Sequence, residues 1–254
     1  LYNIKSLEIL LPEVEVQKKI ASILSSLDEK IELNRQTAQT LEAIAQAIFK
    51  EWFVDFNFPG DTGEMQESEL GEIPKGWRVG NLGELLSFKN GKSSPERNDE
   101  FTFPVYGANG IIGYSKAYNC QPKTIIVGRV GSYCGVVYYT TEKSFVTENA
   151  ILAEIKQDDS SLYCYHKLLS LNLNNHKSGS GQPLLNQTIL SSIKVAIPDW
   201  NIIEQFEKVT LNLKFQMHQS EQQTKTLTRL RDSLLPKLMK GEISVNHTAY
   251  EPIR

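Results

Sequence analysis

PEVEVQKKIASILSSLDEKIELNRQTAQTLEAIAQAIFKEWF, residues 12–53, and PDWNIIEQFEKVTLNLKFQMHQSEQQTKTLTRLRDSLLPKLM, residues 198–239, match each other without a gap, 186 positions apart. Pro12 falls on Pro198, Ile20 on Phe206, Leu27 on Leu213, Gln36 on Gln222, Thr40 and Leu41 on Thr226 and Leu227, and Ile48 on Leu234. Solenoid repeats abut one another at periods of roughly 20–50 residues. Here the copies stand far apart and the residues between them are unique, so this is one scaffold element used twice, with a different domain held between.

From Ile20 the first copy steps by four and three through Ile20, Leu24, Leu27, Ile31, Asn34, Ala38, Leu41, Ala45, Ile48 and Trp52. A seven-residue period held over several heptads keeps one stripe against a partner helix. No Pro or Gly falls between Pro12 and Phe53, and about 40 residues at ~1.5 Å each predict a rod of roughly 60 Å. Pro12 suits a first helical turn, and Glu13 and Glu15 suit its positive end.

The second copy carries Phe206, Leu213, Ser220, Leu227 and Leu234 on one row. A poorer row holds Thr210, Met217, Thr224, Arg231 and Leu238, and Pro236 and Gly241 read as the stop. Burying the two stripes on each other gives an antiparallel pair, since the chain leaves through one helix and returns through the next. Asn34 is then expected opposite Ser220, Leu27 opposite Leu227 and Ile20 opposite Leu234, a polar layer at the midpoint fixing the register. Two other arrangements bury the same stripes: each helix on the surface of the central domain, or pairing between two chains.

Charge is unevenly spread. The formal net charge is −3. Residues 51–76 hold seven acids against Lys75 alone, a balance of −6, so the remainder carries −3 + 6 = +3. Residues 77–192 have eleven Lys and Arg against nine Asp and Glu, which permits a polyanionic partner without requiring one. Cys120, Cys134 and Cys164 lack metal or redox spacing and read as buried reduced thiols of a cytoplasmic protein. No apolar run reaches the 18 residues a membrane span needs. Leu7–Pro12 parallels Ile193–Pro198, which reads as the last strand of the central domain. Residues 1–11 are therefore expected to supply the closing strand of an upstream domain.

The central domain shows a short, strand-like period. Phe103–Tyr106, Thr124–Val127, Cys134–Tyr139 and Ala150–Ile155 are strand candidates, rich in branched and aromatic residues. Gly107, Gly110, Gly113, Gly128 and Gly131 mark turns, Leu162–Leu171 a helix, and Ser178–Gln182 a flexible loop. The glycines of Gly107–Gly113 are misplaced for a dinucleotide fingerprint, and a β-turn is the better reading. No histidine pair has metal spacing, and neither a serine-nucleophile elbow nor a methyltransferase motif occurs. Turns and loops instead carry Lys89, Lys92, Arg97, Tyr106, Asn109, Tyr114, Lys123, Arg129, Ser178, Ser180 and Gln182. Lys and Arg hold phosphates, Arg, Asn and Gln form paired hydrogen bonds with base edges, and small residues let a loop approach a groove.

The whole layout resembles the specificity subunit of type I restriction–modification systems. The resemblance rests on Ile73-Pro-Lys-Gly-Trp77, Tyr106-Gly-Ala-Asn-Gly110 with Ile112-Gly-Tyr114, and Ile126-Val-Gly-Arg-Val-Gly131. It rests further on Ser178-Gly-Ser-Gly-Gln-Pro183 with Leu185-Asn186, and on the ending Leu234-Leu-Pro-Lys-Leu-Met-Lys-Gly-Glu-Ile243. Both helices open with a Pro and a nearby Gln, Pro12 to Gln17 and Pro198 to Gln205.

The resemblance implies an α+β protein in which one globular α/β target-recognition domain accompanies two long helices in an antiparallel coiled coil. The implied divisions are a terminal strand (1–11), a first conserved helix (12–54), an acidic connector (55–72), the recognition domain (73–197), a second conserved helix (198–240) and a tail (241–254). A full subunit of that family has two recognition domains, each reading half of a split site, so this chain resembles a C-terminal half or a truncated form. The resemblance also implies double-stranded DNA as ligand and methyltransferase (M) and restriction/translocase (R) subunits as partners. No catalytic residue or cofactor is expected in this chain, and S-adenosylmethionine, Mg and ATP would belong to those partners. Self-pairing through the helices is a further expectation. A 60 Å rod would span at most roughly 18 base pairs at ~3.4 Å each. The rival readings are a coiled-coil adaptor presenting a protein-binding domain and, less well supported, an enzyme with an unfamiliar site.

Overall fold

The computed structural model describes residues 12–176 and 184–245. In chain order the elements are helix α1 (Val14–Phe53), strands β1 (Met65–Gln66), β2 (Ile73–Pro74) and β3 (Arg78–Asn81), helix α2 (Leu82–Leu85) and strands β4 (Leu86–Asn90), β5 (Phe103–Gly107), β6 (Gly110–Ser115), β7 (Ile125–Gly128), β8 (Val137–Tyr139), β9 (Phe145–Val146) and β10 (Ala150–Ile155). Helices α3 (Ser161–Ser170) and α4 (Gln187–Ser192), strand β11 (Lys194–Ile197) and helix α5 (Trp200–Met239) complete the chain. It divides into two compact units, one built from the N- and C-terminal parts (1–42 and 215–254) and one from residues 43–214.

In the first unit the two helices pair antiparallel, because contacts move down one as they climb the other. Asn34 Nδ2 donates to Gln223 Oε1 at 3.3 Å, and Arg231 Nη1 meets Asp28 Oδ1 at 2.8 Å. The seam on α1 is the expected one: Ile20, Ile31 and Asn34 are buried and Leu24, Leu27, Ala38 and Leu41 half-buried. The register differs. Asn34 meets Gln223 rather than Ser220, about one helical turn further along α5. Side-chain burial gives the reason. Met217 and Leu238 are 6% and 4% exposed, whereas Leu213, Ser220, Leu227 and Leu234 are only half-buried. The row that looked poorer in sequence is the deeper one. Pro236 does not stop α5, which runs on to Met239. A proline costs a helix the hydrogen bond of its own N–H, and one turn from the end Leu238 is still buried. Gly241, at φ 71°, then closes the helix in the left-handed region.

In the second unit β4, β10, β7 and β8 form an antiparallel sheet in that order. Successive strand residues face opposite sides, and here both sides are covered. Ile125, Val127, Ile151 and Ala153 enter a large core with Leu86, Leu162, Leu168, Leu190 and Phe206. Ile126, Ala150 and Leu152 enter a smaller one with Val146 and Cys120, against which Tyr106 and Tyr138 pack. A three-stranded sheet, β6-β5-β9, and a β11-β3 pair complete the β structure, with a β1-β2 pair before them.

An aromatic cluster closes the large core. Phe206, fully buried, lies 5.7, 6.1 and 5.2 Å from the rings of Phe49, Trp52 and Phe53. Tyr163 meets Phe53 at 4.9 Å. The buried carboxylate of Glu207 accepts the Tyr163 N–H at 2.8 Å near the start of α3, and burial raises its pKa.

The acidic stretch after α1 is mostly exposed, as a connector should be, but it is not structureless. Met65–Gln66 pair with Ile73–Pro74, Gln66 Nε2 donates to the Trp77 carbonyl at 2.5 Å, and Phe56 and Phe58 pack on the Trp77 ring. Apolar residues spaced irregularly through an acidic run carry little periodic signal, which is why the sequence reads there as plain linker. The expected strand within 1–11 and the flexible loop at 178–182 lie outside the described residues.

Candidate nucleic-acid interface

The β5–β6 hairpin turns through Ala108 and Asn109, with Gly107 opposite Gly110; this is the β-turn expected of Gly107–Gly113. Gly110 takes φ 94°, which glycine adopts at no steric cost. Beside the hairpin tip, β7 ends at Gly128 and the chain turns through Gly131–Tyr133 into β8. A Cβ on Gly128 would lie 2.2 Å from the Tyr133 carbonyl oxygen and 2.8 Å from that of Ala108. Only glycine allows the two turns to press together so closely.

Arg129 ties this region together through its main chain. Its N–H donates to the Asn149 carbonyl at 3.0 Å, and its carbonyl accepts from the Leu185 N–H at 3.2 Å. The Cys134 thiol also donates to that carbonyl, at 3.1 Å. Val130 and Leu184 form an antiparallel bridge, so Leu184 lies beside the Arg129 turn. Ser178, Ser180 and Gln182 are outside the described residues. The Arg129 side chain is half-buried, and its Nε is buried without a hydrogen-bond partner.

The turn after β4 joins the same cluster. The Lys92 N–H donates to the Val146 carbonyl and its carbonyl accepts from the Glu148 N–H. Thr147 donates to the Tyr106 carbonyl from its N–H at 2.9 Å and its hydroxyl at 3.1 Å. Tyr106 packs by Tyr138, ring centroids 6.1 Å apart, and the Tyr138 hydroxyl reaches the Ala108 carbonyl at 3.4 Å. Burial, then the nearby Tyr133, raises the Tyr138 pKa, keeping it a neutral donor.

Lys92, Tyr106, Asn109 and Arg129 are thus brought together, and Asn109 and Lys92 are exposed. Lys89 and Arg97 are not part of the group. Lys89 sits within β4 rather than in a turn, and its ammonium is held 2.5 Å from Glu154 on β10. Arg97 lies along β6, its Nη1 donating to the Ile112 carbonyl at 3.0 Å. Tyr106 and Tyr114 are strand residues, and Lys123 adopts a left-handed backbone, φ 67°, away from the cluster. Sequence reading passed over Tyr133, which is half-exposed at the tip of the Arg129 turn. A lone tyrosine between two glycines has no periodicity to announce it. Among the described residues no three His, Cys, Asp or Glu side chains are placed to hold a metal ion. No helix among them is long and apolar enough to cross a membrane.

Comparison with known proteins agrees with this architecture. Residues 1–43 and 74–222 match the type I restriction modification DNA specificity domain, and the chain belongs to that family. Its relatives include the type I restriction enzyme MjaIX specificity subunit of Methanocaldococcus jannaschii, 27% identical over 96% of this chain and 62% of its own length. The HindI specificity subunit of Haemophilus influenzae is 28% identical over 95% of this chain and 70% of its own. The chain thus spans less than two thirds of the archaeal relative. A crystal structure of the S subunit from M. genitalium shares the fold, with a TM-score of 0.66 at 23% identity, over 89% of this chain and 61% of that one.

Proposed function

We propose that this chain is a non-catalytic DNA-recognition subunit of a type I restriction–modification complex. The observation that carries the reading is the convergence of Lys92, Asn109 and Arg129 on main-chain-anchored turns in a chain of the DNA specificity family. Lysine supplies a phosphate contact, and arginine and asparagine have the donor patterns that read base edges. Ser178, Ser180 and Gln182 are further proposed contacts, while Lys89 and Arg97, held by Glu154 and the Ile112 carbonyl, are marginal ones. The domain reads one half of a bipartite target in double-stranded DNA. The paired helices act as spacer and as docking surface for methyltransferase subunits. Those subunits and a restriction subunit bring S-adenosylmethionine, Mg and ATP chemistry, and the complex works in the cytoplasm.

The test is selection from a pool of random duplexes, followed by titration of salt. A defined half-site should emerge, and affinity should fall steeply from low to moderate ionic strength as phosphate counterions are exchanged. An adaptor that binds protein alone would select no sequence and show no such dependence.

A further inference from the structure

We infer that Arg129 reads a guanine end-on, through its two terminal amino groups, while the rest of the side chain stays sealed against the loops. This rests on the DNA-recognition reading above and names the base which that reading leaves open. The backbone of Arg129 is fixed by Asn149, Leu185 and Cys134, and Gly128 behind it is pressed on the Tyr133 and Ala108 carbonyls. The side chain therefore starts from a fixed point. Its Nε is buried and makes no hydrogen bond, so a ligand can meet only Nη1 and Nη2. Among the described residues no carboxylate pairs with this guanidinium, and its charge is available.

A planar fork of two donors fits two acceptors lying side by side in one plane. In the major groove guanine presents that pair, N7 and O6. Adenine puts a donor beside its acceptor, thymine a methyl beside its one acceptor, and cytosine a donor. A phosphate also accepts the fork, but the surroundings do not form an anion site. The main-chain N–H groups of Gly128, Arg129 and Gly135 are already taken by the carbonyls of Val136, Asn149 and Gly128. Gly131, at φ 69° with nothing within 4 Å of where a Cβ would stand, keeps the turn slim enough to enter a groove.

The experiment uses the full chain and the half-site it selects. Each guanine of the site is replaced in turn by 7-deazaguanine, which lacks the N7 acceptor. At one guanine the replacement, which removes one of the two acceptors, should weaken wild-type binding about fivefold or more, the low end of the range for a lost bidentate contact. R129A, which loses both contacts, should bind the unmodified site more weakly still and ignore the replacement. R129K keeps the charge without the fork and should also lose the preference for that guanine. Tolerance of every replacement by the wild type overturns the inference. So does an R129A protein weakened alike on all sequences with its salt slope reduced by about 1, the mark of a phosphate contact. If R129A does not fold, the wild-type and R129K measurements decide. A wild-type chain that selects no sequence sinks the DNA reading itself, and the guanine assignment with it.

Discussion

At the scale of single residues the candidate interface depends less on what its side chains hold than on what its glycines leave out. Gly128 lets two turns share one place, and an added methyl would meet carbonyl oxygens of both rather than the yielding end of a side chain. Gly128→Ala is expected to cost at least the ~1–3 kcal/mol typical of overpacking, read as a lowered Tm. It should also weaken half-site binding beyond that loss, since Arg129 and Asn109 would be pushed apart. A Tm and an affinity equal to wild type would show that the turns part easily. The sequence marks Arg129 and Asn109 as candidates because their donors suit bases. It cannot show that Lys89 is occupied by Glu154 or that Arg97 is spent on Ile112. Those partners come from strand pairing between distant residues.

At the scale of elements the helical pair was legible in position and period but not in register. Heptads say which face is buried, yet a shift of one turn exchanges two rows that both hold apolar residues, and only the packing of Met217 and Leu238 decides between them. The register has a direct test. Cysteines introduced at positions 34 and 223 should cross-link readily on oxidation, and cysteines at 34 and 220 should not. The native thiols will not confuse the result, being buried, with burial pushing Cys120 up to about 11 and Cys164 up to about 12. Efficient cross-linking of 34 with 220 instead would restore the register expected from the sequence.

Helix α3 offers a second test at this scale. Lys167 is 8% exposed, and burial lowers its pKa from 10.5 to about 8, partly offset by Cys164. The folded state therefore favours the neutral amine more than the unfolded chain does. Its contribution to stability is fully present above 10.5 and is lost as pH falls through about 8. Lys167→Met should raise Tm at neutral pH, and the gain should shrink as pH rises from 8 toward 10.5. A gain that does not change with pH would place the ammonium in contact with water.

At the scale of the whole molecule the duplication was the clearest signal, because the forty residues of α1 hold no helix breaker and the matching copy has its one proline only in the last turn of α5. The β-rich domain was legible in its strands, and Ala150–Ile155 is β10 residue for residue. Its sheet order was not, since β4 pairs with β10 across much of the domain and no local pattern records such pairings. The charge count gave fair warning as well. The acids gathered after α1 mask a mildly basic remainder, which is why the net charge alone says little about a polyanionic partner.

The anchoring of Arg129 has a consequence for how such a domain could change over generations. All its hydrogen bonds to the neighbouring loops are made by its N–H and carbonyl, groups that every residue except proline possesses. If Arg129 reads a base as proposed, a mutation there exchanges the reading side chain and leaves those main-chain hydrogen bonds as they were. On the proposed reading, a new side chain at position 129 costs the frame no hydrogen bond, while Gly128 beside it is held by the frame.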